Sequence, residues 1–161
     1  MEQLILRFMD YDDVPAVVAV CRKCFGKHVA PRKKYLDDTV SNWRYFYFVA
    51  ELDGKIVACT GARVADWFED YEDAKTDTAK IEIVAVDPDY HGQGIGTKLF
   101  TKLIDTLEER GVVGMALSVH PSNTPAIEFY EHFGFNYHEI PRPIITGRET
   151  ALMTRIKCAT N

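Results

Sequence analysis

Val84-Ala85-Val86-Asp87-Pro88-Asp89-Tyr90-His91-Gly92-Gln93-Gly94-Ile95-Gly96-Thr97-Lys98-Leu99 reads as the end of a strand, a glycine-punctuated loop and the start of a helix. Glycines at 92, 94 and 96 leave peptide units bare of side chains where the unpaired N–H groups and the positive dipole end of the next helix converge. A loop of this kind holds a diphosphate through main-chain amides.

Spacing narrows the ligand. A dinucleotide-binding loop needs a third glycine where Thr97 stands, and an acidic residue about twenty positions further on, where the chain has Ala116 and Leu117. A nucleotide-triphosphate loop needs four residues between its first glycine and the Gly-Lys pair, whereas Gly92 and Gly96 enclose three. Neither pattern fits.

His91-Gly92-Gln93-Gly94-Ile95-Gly96 resembles instead the Gln/Arg-x-x-Gly-x-Gly/Ala loop of the GCN5-related N-acetyltransferase (GNAT) superfamily, with His91 where Arg or Gln is usual. A neutral histidine has a single N–H to donate. Further on, Asn123-Thr124-Pro125-Ala126-Ile127-Glu128-Phe129-Tyr130, followed by Gly134-Phe135, is similar to the superfamily's Asn-x-x-Ala-x-x-x-Tyr and Gly-Phe. The two motifs in this order are far more specific than either alone, and the match covers nearly the whole chain.

Composition sets the frame. With 161 residues, 47% of them hydrophobic, the chain can build one sizeable core and is too short for two ordinary domains, so a single domain over residues 1–161 is expected. A formal charge of −5 excludes a nucleic acid as partner, because phosphate neutralisation needs surplus Lys and Arg. Met1 to Asp10 has no basic leader and no long apolar run, and no stretch approaches the roughly 20 apolar residues of a membrane span. A soluble, cytoplasmic protein without membrane contact is the expectation. Cys21, Cys24, Cys59 and Cys158 are too few for a secreted disulfide scaffold, and Cys21-x-x-Cys24 lacks a second ligand pair, so it reads as part of a buried helical stripe and no metal is assigned.

Along the chain, Leu4 to Met9 reads as a strand. Asp12 and Asp13 are cap candidates for a helix with Pro15 in its first turn, and Val14, Val17, Val18, Cys21 and Phe25 form its apolar face. A second helix is expected over Arg32 to Trp43, with an unfavourably basic start. Tyr45 to Leu52 and Lys55 to Val64 are strands joined by the hairpin signal Asp53-Gly54. Asp66 to Thr78, acidic and aromatic, reads as a long loop, and Lys80 to Val86 as a strand. Leu99, Phe100, Leu103, Ile104 and Leu107 share one helical face that Gly111 ends, and Val112 to Val119 is the next strand. Strand, crossover helix and strand make a βαβ unit with a parallel pair. Thr124-Pro125 opens a short helix ending at Gly134, and Phe135 to Ile140 and Thr150 to Lys157 close the chain as strands. The expected class is α+β: a mixed, mostly antiparallel sheet of about seven strands with flanking helices and a central βαβ cofactor unit.

The resemblance implies acetyl-CoA as cosubstrate and an amine as acceptor, attacked within a ternary complex. It places the pantetheine arm in a gap between the strands Lys80–Val86 and Val112–Val119, against the backbone of Val84, Ala85 and Val86. The diphosphate falls on His91, Gly92, Gln93, Gly94, Ile95, Gly96 and Thr97, and Asn123 bonds the arm. Tyr130 matches the family's acid, and by the resemblance it would also contact the cosubstrate. Glu82, two and four residues before Val84 and Val86 and so on the same side of the strand, is the candidate base. In ribosomal-protein N-terminal acetyltransferases, which the tail Gly147-Arg148-Glu149-Thr150-Ala151 also resembles, a glutamate base precedes the motif asparagine by five residues, where this chain has Ser118. Glu82, His120 and water therefore stay open as the base. The acidic loop would gather a cationic small-molecule amine or a peptide amine. A protein N-terminal acetyltransferase, a non-catalytic acyl-CoA sensor and a homodimer are the alternatives left standing.

Overall fold

The structure, a computed structural model, describes residues 2–64, 77–142 and 150–157. Contacts gather these residues into two compact units, 2–64 with 82–110 and 77–81 with the described residues from 111 onward. Of the expected acidic loop, 66–76 lie outside the described residues.

The first unit opens with β1 (Leu4–Phe8) and a 3-10 turn at Tyr11–Asp13 that leads directly into α1 (Val14–Phe25). Asp13, one of the two expected caps, stands at the N-cap of α1 without a side-chain cap bond there, and the side-chain cap lies upstream at Asp10. Asp10 accepts the Tyr11 N–H at 2.6 Å, and Asp13 reaches back to the Asp10 N–H at 2.7 Å, a reciprocal capping box. Asp13 also takes both Arg7 guanidinium nitrogens, at 2.6 and 2.8 Å, which holds its carboxyl below the usual range. Val14, Val17, Val18 and Cys21 are buried as the spacing predicts, while Phe25 at the helix end is exposed.

Helix α2 (Lys33–Thr39) stops short of Trp43 because Val40 turns extended and Ser41 takes a left-handed φ of 63°. Its basic start is answered by Lys33–Asp37 and Lys34–Asp38 pairs one turn apart. Strands β2 (Tyr45–Leu52) and β3 (Lys55–Val64) form the expected antiparallel hairpin, with Asp53 and Gly54 both at positive φ, as a type I′ turn requires. β4 (Thr78–Val86) alternates between buried and half-buried positions along its length. α3 (Ile95–Glu109) buries Leu99, Phe100, Leu103, Ile104 and Leu107 and packs on β2 and β3. A separate core joins α1 and α2 residues to Tyr47, Val49, Cys59, Ile83 and Ala85.

In the second unit, β5 (Gly114–Val119) runs parallel to the start of β4, pairing Thr78 to Lys80 with Gly114 to Ala116. α4 (Thr124–His132) follows, then β6 (Asn136–Arg142) and β7 (Thr150–Ile156), with β7 antiparallel to both β5 and β6. The strand order is β1-β2-β3-β4-β5-β7-β6. This is the mixed seven-stranded sheet with flanking helices that the sequence predicts.

Candidate active site

The glycine loop is anchored from its N-terminal side. The Asp87 N–H donates to the Val57 carbonyl at 2.8 Å, and its buried carboxylate accepts Lys23 Nζ at 2.8 Å and the Asp89 N–H at 3.0 Å. The Lys23 ammonium keeps the Asp87 carboxyl below the ordinary carboxylate range. His91 Nε2 lies 2.8 Å from the Val86 carbonyl, to which the Cys24 thiol also donates at 3.1 Å. The one N–H of a neutral His91 is thus spent on strand β4.

Gly92 and Gly94 adopt φ of 79° and 75°, which glycine reaches without strain. A Cβ on either would meet no atom within 4 Å, so the space beside the loop is open. At Gly96 a Cβ would come 3.1 Å from Val86 Cγ2, so this glycine serves the contact between helix and strand. Gly94 is the N-cap of α3 and supplies no side-chain cap. Among the described residues, none of the N–H groups from Gly92 to Thr97 donates to another protein group. Free amides, an uncapped helix start and open space beside the glycines fit the diphosphate of acetyl-CoA.

Glu82, half-buried on β4, is the acceptor of a three-residue cluster. The Tyr35 hydroxyl from α2 lies 2.7 and 2.6 Å from its two oxygens, and the Tyr47 hydroxyl from β2 donates to Oε1 at 2.9 Å. Burial, and for both phenols the nearby carboxylate, push their ionisation above the ordinary tyrosine range, so both keep their protons and act as donors. Neither tyrosine belongs to a motif. The signal available was the Tyr45/Tyr47 alternation on a strand and an isolated Gly61 inside the facing one. Cys21 and Cys59 lie 3.6 Å apart in the core of this unit, and of the Cys-x-x-Cys pair Cys21 is buried as expected while Cys24 is half-buried.

In the second unit, Asn123 Oδ1 caps α4 by accepting the Ala126 N–H at 3.3 Å. Tyr130 stands among Phe129 and Phe135, with ring centroids 5.4 and 5.9 Å away, and burial pushes its phenol up to about 12. His120 closes the turn after β5, its Nδ1 accepting from the Ser122 N–H at 3.1 Å and lying 2.7 Å from the Ser122 hydroxyl.

Residues 15–135 match the model of the Acetyltransferase (GNAT) family. The chain belongs to that family. It is 34% identical over 148 residues to the ribosomal protein bS18-alanine N-acetyltransferase of Escherichia coli strain K12, covering 90% of this chain and 91% of that one. The crystal structure of the ribosomal-protein-S18-alanine N-acetyltransferase from Escherichia coli superposes with a TM-score of 0.78 at 32% identity, over 99% of this chain and 97% of that one. The fold is shared at 19% identity with yncA of Salmonella typhimurium, a putative acetyltransferase solved with its cofactor acetyl-CoA, at a TM-score of 0.79 over 99% of this chain and 96% of that one. This GNAT protein is therefore an enzyme that transfers an acetyl group from acetyl-CoA to an amine. Among its described residues no helix is long and apolar enough to cross a membrane.

Proposed function

We propose that the acceptor is the α-amino group of a polypeptide beginning with alanine, acetylated in the cytoplasm by one catalytic domain spanning residues 1–161. The observation that carries this reading is the 34% identity, over 90% of the chain, to an enzyme named for bS18-alanine acetylation.

Acetyl-CoA supplies an activated acetyl thioester. In this proposal the amides of Gly92, Gln93, Gly94, Ile95, Gly96 and Thr97 hold its diphosphate, with His91 bracing the loop. The backbone of Val84, Ala85 and Val86 takes the pantetheine like an added strand, and the Asn123 amide donates to it. Glu82 accepts the proton that the incoming ammonium must lose before its nitrogen can attack. Two observations favour Glu82. Ser118, at the position of the glutamate in the resembled N-terminal acetyltransferases, carries a hydroxyl, which is too weak a base. His120, with Nδ1 accepting from the Ser122 N–H, carries its hydrogen on Nε2 when neutral and has no lone pair to offer. Tyr130, protonated at any physiological pH, donates its proton to the leaving sulfur.

The test is thiol release from acetyl-CoA with a peptide beginning in alanine, the same peptide N-acetylated, lysine, spermidine and an aminoglycoside. The free peptide should exceed every small amine by about tenfold or more in kcat/KM, with no release from the blocked peptide. Turnover of a small amine without turnover of the peptide overturns the proposal.

A further inference from the structure

We infer that Gly61 is a positioning residue: its missing side chain forms the notch in which the Tyr47 ring lies, and that notch aims the Tyr47 hydroxyl at Glu82. The inference rests on Glu82 being the base. Tyr47 and Gly61 are direct partners across the β2–β3 ladder. A Cβ at Gly61 would fall 2.5 Å from Cε1 and Cζ of Tyr47 and 2.6 Å from Cδ1, distances at which the ring must move. The backbone at 61 is not left-handed, so nothing in its conformation asks for glycine. A glycine inside a strand weakens it and marks a close approach, and here the approaching group is an aromatic ring.

The two phenols on Glu82 differ in their freedom. Tyr47 is only 5% exposed, packed in the α1–α2 core with Tyr45 at a centroid distance of 6.3 Å. Tyr35 is 38% exposed and comes from a seven-residue helix. An arriving amine can displace the Tyr35 hydroxyl from the carboxylate, whereas Tyr47 is held by its notch. Tyr47 thus keeps the carboxylate oriented while the acceptor and Tyr35 exchange places, and Gly61 makes this possible without touching substrate.

The test uses the full chain, acetyl-CoA and the alanyl peptide, with kcat/KM followed from about pH 5 to 9. Loss of one phenol that donates to the ionised carboxylate should move the acid limb up by about one pH unit in Gly61→Ala and equally in Tyr47→Phe. The double variant should move it no further, because both changes remove the same hydrogen bond. Gly61→Ala/Tyr47→Leu removes the clash: its thermal midpoint should return toward wild type while the limb stays shifted, which separates packing from positioning. Unshifted limbs in Gly61→Ala and Tyr47→Phe, with Glu82→Gln inactive, overturn the positioning role and leave the base intact. Wild-type activity in Glu82→Gln overturns the base and this inference together.

Discussion

Tyr130 and Glu82, the proposed acid and base, stand in opposite surroundings. Tyr130 meets aromatic rings, and burial strengthens its hold on its proton. Glu82 meets two hydroxyl donors, and an acceptor is what they require. Tyr130→Phe keeps the ring and removes the proton. On the proposal that this phenol is the acid, kcat falls by about 10²-fold while the affinity for CoA moves by less than about twofold. Steady-state kinetics with calorimetric titration of CoA checks this, and an unchanged kcat removes Tyr130 from the chemistry. The sequence offers both as candidates, one through its motif and the other through strand alternation. It does not offer Tyr35 and Tyr47, which are 47 and 35 positions from the carboxylate they serve, distances no local pattern encodes.

Among the elements, the start of α3 is the proposed seat of the cosubstrate diphosphate. Its three glycines follow two logics, left-handed backbone at Gly92 and Gly94 and close packing at Gly96. Gly94→Ala forces a left-handed alanine, costing about 1–2 kcal/mol, and puts a methyl into the open space beside the loop. Gly111→Ala is the control, since its φ is also positive, at 90°, with nothing within 4 Å of the added Cβ. Both variants should lose a few degrees of thermal midpoint, about 2–4 °C for each kcal/mol, and only Gly94→Ala should lose CoA affinity, by tenfold or more. Matching affinities in the two variants would remove the diphosphate from this loop. Hairpin, helix stripes and terminal glycines were readable because each is a local signal. The end of α2 was not, because the left-handed Ser41 that breaks it belongs to no residue type that announces such a turn.

At the scale of the whole molecule, the charge balance predicts how folding responds to acid. Asp13 and Asp87 both have folded pKa values lowered by cations, Arg7 and Lys23 respectively. A lowered folded value means that the unfolded chain binds protons first. The stabilisation is therefore present above the unfolded carboxylate pKa of about 4 and is lost as pH falls through the folded values. The urea midpoint should hold from about pH 7 to 5 and drop steeply below about pH 4. Asp13→Asn should start lower and drop less, because the bidentate bond to Arg7 is lost at every pH and no carboxylate remains at this position to be protonated. An acid drop as large in Asp13→Asn as in wild type would show that Asp13 does not contribute to it.

Sequence by itself determined most of the elements and the GNAT likeness, and it marked the glycine loop as the candidate diphosphate cradle. Side-chain period, turn glycines and the polarity of a helix end act over a few neighbouring residues and are written in their order. Only the tertiary structure decided that two tyrosines converge on Glu82, that Gly61 opens room for one of them, and that His91 spends its N–H on Val86. Those contacts depend on strand register and on how α2 docks, and both are set by the packing of a core whose members are scattered along the chain.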